Sequence, residues 1–208
     1  MLISLFVVIA SGLILGAGAK LADESGLPGI GMIGTYFGIW IVCITVIAIW
    51  SASWRHAIVC SVSFLVAMTA AYYITQMFLF GFFSPNLFLG WIAIALLLAP
   101  PFAALTYHAR GDSWLAALGA ALPVGLLLQE AYSLRYRLTS HLDYQLLFML
   151  DLACATSLLL ILAREPMQRI RVFFLALAVL IIAEIGFNYA LPLILGSLPF
   201  EMLLTPVS

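Results

Sequence analysis

Long apolar runs separated by short polar clusters organise this chain, and most runs approach the roughly 20 residues a helix needs to cross a bilayer. Seven runs read as spanning helices: about 2–19, 33–50, 57–80, 87–107, 114–132, 144–163 and 171–196. The interruptions carry turn chemistry or charge. Lys20, Asp23 and Glu24 precede Gly26-Leu-Pro28-Gly29, and Ser51-Ala-Ser-Trp54-Arg55-His56 follows the second run. Gly81-Phe-Phe-Ser-Pro85-Asn86 is a tight uncharged connection, while His108-Ala-Arg110-Gly-Asp112 is a short polar one. Arg135, Arg137, His141 and Asp143 make the most polar loop, and Arg164, Glu165, Arg169 and Arg171 precede the last run. Residues 198–208 are too short to span and are expected at the interface. The first run has the length of a signal peptide but lacks its basic leader, so it is read as a span. The pattern predicts an all-α, polytopic transmembrane helix bundle of about seven spans, with residues 1–208 as one integral membrane domain.

Composition sharpens this reading. The 208 residues are 65% hydrophobic and 8% charged, against about 25% charged in soluble domains. A net charge of −1 gives no electrostatic case for nucleic acid. Cys43, Cys60 and Cys154 lie in apolar runs without paired spacing, so disulfides, zinc and other metal sites are not expected. The distribution of Lys and Arg sets orientation. Arg55, Arg110, Arg164, Arg169 and Arg171 fall on one side, and Lys20, Arg135 and Arg137 on the other. The richer side is expected in the cytoplasm, placing the N-terminus inside and the C-terminus outside.

Polar residues within the apolar runs mark the candidate chemistry. Glu184 and Asn188 are four residues apart and share a helix face. A carboxylate in a span faces a protein-lined cavity or costs several kcal/mol against lipid. At about 1.5 Å per residue, Glu184 falls roughly 20 Å beyond Arg171 and about 10 Å below the outer surface. Asp151 and Gln76 come to a similar depth in their own spans, and Gln129 and Glu130 lie shallower, with Arg135 and Arg137 above them. Four helices thus place polar groups in one outer layer. Prolines add exposed carbonyls, because each removes the hydrogen bond to the carbonyl four residues earlier. Pro192 would free Asn188, Pro123 would free Gly119, and Pro100 and Pro101 would free Leu96 and Leu97.

These residues predict an outward-facing polar cavity between the third, fifth, sixth and seventh spans, binding or moving a small solute. Glu184 and Asp151 are the expected partners of a cation, proton or amine. Asn188 and Gln76 would orient the ligand, with Gln129 and Glu130 nearby and Arg135 or Arg137 gating the mouth. Plainer readings compete: Gln76 and Asn188 as interhelical hydrogen bonds, Glu130 as a surface partner of Arg135 or Arg137, and Tyr72, Tyr73 and Tyr132 as an interfacial belt. Gly12-xxx-Gly16 offers a close-packing face and is the expected contact for a membrane partner subunit, should the chain be a non-catalytic component of a larger complex. The sequence contains no HExxH, GxSxG, Walker loop or GxGxxG. No cofactor is expected, and the remaining enzymatic reading is a lipid-active hydrolase using Asp151 and Glu184.

Three segments resemble an uncharacterised family of small bacterial multi-spanning membrane proteins, defined only as a domain of unknown function. They are Gly16-Ala-Gly-Ala-Lys20-Leu-Ala-Asp23, Gly34-Thr35-Tyr-Phe-Gly-Ile-Trp40, and Tyr72-Tyr73 through Phe80-Gly81-Phe-Phe-Ser-Pro85, with Trp91 beyond. The resemblance implies a bacterial cytoplasmic-membrane location and a helical architecture, with no activity attached. In size, small-residue first helix and outer polar layer the chain is also similar to substrate-binding subunits of energy-coupling-factor vitamin transporters, an analogy at the level of fold.

Overall fold

The computed structural model describes residues 4–26, 31, 36–81, 83–138 and 142–186. Its regular structure there is entirely helical: α1 (Leu5–Glu24), α2 (Phe37–Trp50), α3 (Trp54–Phe80), α4 (Pro85–Leu97), α5 (Ala99–Tyr107), α6 (Trp114–Leu134), α7 (Leu142–Leu162) and α8 (Pro166–Ile185). Local chemistry sets the ends. Ser53 and Ser113 cap α3 and α6 by accepting from His56 N and Ala116 N, which satisfies orphan first-turn donors. Pro85 and Pro166 open α4 and α8, where a missing N–H costs nothing. Gly81 closes α3 at φ 67°, a left-handed conformation open to glycine.

Five stretches among the described residues are long and apolar enough to cross a membrane: Leu5–Glu24, Trp54–Phe80, Pro85–Arg110, Trp114–Arg137 and Leu142–Leu162. Large apolar side chains such as Phe6, Ile14, Phe78 and Leu97 are more than two-thirds exposed, which suits contact with lipid rather than water. The shorter α2, with 14 residues, lies between two packed groups. One core joins α1, α2, α3 and α4–α5 around Phe64, Trp40 and Ala103. The other joins α2, α6, α7 and α8 around Leu127, Val172 and Ala176.

Glycines let the backbones meet. A methyl group at Gly12 would lie 2.6 Å from Phe64 O, and one at Gly16 would overlap the Met68 carbonyl. Gly119 stands in the same way against Leu105 O of α5, and Gly125 against Val179 and Ala176 of α8. Close approach through small residues is how helices associate where lipid weakens the hydrophobic drive. The Gly12/Gly16 face is therefore occupied by α3 of the same chain, which corrects the expectation that a partner subunit would use it.

Polar residues shape the helices differently from the apolar pattern. Lys20 and Asp23 lie inside α1, whose last residue is Glu24. Lys20 pairs with Glu24 at 2.6 Å, and Tyr72 OH of α3 donates to Asp23, so the polar groups of the last turn are satisfied within the fold. The fourth span breaks at Leu98, between α4 and α5, because Pro100 and Pro101 provide no donors to the carbonyls of Leu96 and Leu97. Pro123 produces no such break and is buried inside α6.

Candidate functional site

Glu130 lies one turn before the end of α6 and Asp151 lies within α7; they are 6% and 3% exposed. Phe37 N–H, in the first turn of α2, donates to Glu130 Oε1 at 2.8 Å. A carboxylate here satisfies an orphan donor and meets the positive end of the helix dipole. Gly38, the next residue of α2, separates the two acids. A methyl group there would overlap Asp151 Oδ1 and lie 2.9 Å from Glu130 Oε2. Glu130 Oε2 and Asp151 Oδ2 are both buried without a hydrogen-bond partner. Such atoms are uncommon in folded proteins and each carries a desolvation cost.

Beside this pair is a cavity of about 430 Å³. Its walls are Ile41 and Ile44 of α2, Leu65 of α3, Ile94 of α4, Phe102 of α5 and Leu126 of α6. The polar members gather where α2 begins and α6 ends: Tyr36, Gln129, Glu130 and Ser133. Leu98, at the helix break, and Ala99 also line it, so the proline pair shapes one wall. An apolar chamber with a few polar groups at one end is the usual form of a small-molecule site.

The expected site residues divide into several places. Gln129 and Glu130 line the cavity, and Asp151 stands behind Glu130 across Gly38. Glu184 is half-buried and accepts a 3.3 Å hydrogen bond from Gln129 Nε2. Successive residues on a helix point about 100° apart, so Gln129 and Glu130 lead Glu184 and Asp151 to different flanks of α6. The acid that faces Asp151 across Gly38 is Glu130, and the polar partner of Glu184 is Gln129. Glu130 in turn is not a surface partner of the arginines. Arg135 donates to Tyr132 O and Tyr136 OH, and Arg137 reaches Tyr144 at 3.5 Å. The cavity lies between the second, third, fourth and fifth spans rather than the third, fifth, sixth and seventh, and its walls are mainly apolar.

Gln76 is buried in another place. It shares a stripe of α3 with Tyr72 and Phe80, whose rings lie 5.4 and 5.3 Å from Lys20 Nζ of α1. Tyr73 is 6% exposed and lines, with Tyr72, Trp40 and Trp91, a second cavity of about 170 Å³; the belt expected of Tyr72 and Tyr73 is thus an internal aromatic cluster. Asn188 and Pro192 lie outside the described residues.

Sequence reasoning missed Gly38, Phe37 N and Tyr36. A glycine and a backbone amide carry no chemical label, although Glu130 standing within an apolar run was a visible signal. These features define a polytopic α-helical membrane protein with a buried carboxylate pair beside a mainly apolar cavity. Residues 1–193 match the family of unknown function DUF6518, and the chain belongs to that family. No curated protein and no solved structure matches it.

Proposed function

We propose that the protein binds, and moves, a small amphiphilic solute with an apolar body and a cationic head. The body would occupy the 430 Å³ chamber and the head would reach Glu130, oriented by Gln129, Ser133 and Tyr36. The observation that carries this reading is Glu130 Oε2, buried and unpartnered at the polar end of an apolar cavity. A cation desolvated there gains a charge-assisted hydrogen bond that water does not compete for. Glu184, bonded to Gln129, would hold that side chain in place, and Arg137, near Tyr36, would border the mouth. The hydrolase reading on Asp151 and Glu184 loses support, since those acids sit on different flanks of α6.

Octylamine and octanol share a tail and differ in charge, which makes them a test pair for the protein in lipid nanodiscs. Trp91 packs on the cavity-lining Phe37 at 5.1 Å between ring centres, so tryptophan fluorescence should report binding. Octylamine should bind saturably, and Glu130→Gln should weaken it by at least about tenfold, or 1.4 kcal/mol. Equal binding of octanol, or an unchanged Glu130→Gln, would exclude a charge-recognising site.

We place the protein in a bacterial cytoplasmic membrane, as a single integral domain with its N-terminus inside, so that the polar end of the cavity faces outward. The support is the excess of arginine in alternate loops. Alkaline phosphatase fused after Ser208 should then be active in cells, whereas an inactive fusion that is full length and membrane-inserted would reverse the orientation.

A further inference from the structure

Two buried carboxylates facing one another across a glycine make a charge problem. The first charge has a counterpart, because Glu130 Oε1 takes Phe37 N–H at the positive end of α2. The second has none. Among the described residues no Lys, Arg or His is bonded to either acid, and an uncompensated buried charge costs several kcal/mol. The groups around the pair do not supply one. Tyr36, the residue before α2, has its hydroxyl near both Glu130 and Arg137. α7 brings Cys154 beside Asp151, and the turn after α6 brings Arg137, engaged with Tyr144. α8 brings Glu184, bonded to Gln129, and α3, α4 and α5 bring apolar side chains to the cavity wall.

Glu130 Oε2 and Asp151 Oδ1 flank the space where Gly38 lacks a side chain, and each acid keeps one buried oxygen unpartnered. Building on the solute-binding reading, we infer that the Glu130–Asp151 gap binds one monovalent cation, a proton or a sodium ion, and releases it when a cationic head group reaches Glu130 from the cavity. The exchange conserves charge: one positive charge enters the site as another leaves. Bound, the cation bridges the two carboxylates; displaced, it leaves Glu130 to the solute. Gly38 is the positioning residue, because any larger side chain would fill the gap.

Two measurements on the full chain in nanodiscs test this. In the first, no solute is present. Infrared difference spectra are taken between acidic and alkaline potassium buffers, then between potassium and sodium salts at fixed pH. A carboxylic-acid carbonyl band that appears in acid and is lost in Asp151→Asn identifies a proton. A carboxylate shift on adding sodium, lost in the same variant, identifies sodium. Neither response, or a response unaltered in Asp151→Asn, overturns the site. Gly38→Ala retains both acids and should weaken cation binding by at least about tenfold; wild-type affinity in a variant with native circular dichroism also overturns it.

In the second, octylamine is titrated while a pH dye and a sodium electrode follow release. The wild type should release about one cation per amine bound, as expected of a coupled pair. Asp151→Asn should bind the amine and release none. Binding without release in the wild type overturns the exchange. Absence of octylamine binding would count against the solute reading, and the first measurement would still decide the cation site.

Discussion

Removing the Glu130 carboxylate takes an acceptor from Phe37 N–H and a charge from the cavity, and two substitutions separate these effects. Glu130→Gln keeps an oxygen for the amide and loses the charge. Glu130→Leu loses both and leaves the first-turn donor of α2 without its partner. The leucine variant should therefore be less stable than the glutamine variant by about 1–3 kcal/mol, measured by reversible unfolding in dodecyl sulfate mixed micelles. Equal stability would mean that the contact contributes nothing to holding α2. At this scale the sequence was partly legible. Glu130, Asp151 and Glu184 stand out because acids are rare in apolar runs, but pairing depends on facing directions. Gln129 and Glu130 are neighbours in sequence and serve different acids on different helices.

The break between α4 and α5 belongs to the element scale. Pro100 and Pro101 leave two carbonyls without donors, and Leu98, at the break between α4 and α5, lines the cavity. Replacing both prolines with alanine restores the donors and allows one continuous helix. Such a helix would lean differently across the cavity, so octylamine binding should weaken several-fold while helix content stays constant or rises. Unchanged affinity would show that the break plays no part in shaping the site. Spans longer than a membrane crossing were legible from hydropathy, as were α3's glycine stop and the proline break. The partner of Asp23 in the last turn of α1 was not, since Tyr72 stands 49 positions beyond it along the chain.

At the scale of the whole molecule, two cores share α2 and are tied together where α5 meets α6 at Gly119. Gly16 closes the first core against Met68, and Gly125 closes the second against Val179. Leucine at either position forces backbones apart, a change that costs about 1–3 kcal/mol in packed interiors. With no shared partner between them, the losses in Gly16→Leu and Gly125→Leu should add to within about 0.5 kcal/mol in the double variant. A larger departure, in mixed-micelle unfolding, would mean that the cores yield as one unit. Sequence by itself determined the all-helical class, the membrane setting and the presence of acids within apolar runs, because hydropathy and charge act locally along a chain. Which acid faces which, where the cavity opens, and that Gly12 and Gly16 serve an internal contact were decided by the tertiary structure. The physical reason is that helix rotation and close approach are set by the partner's backbone, and a glycine's role depends on what stands opposite it.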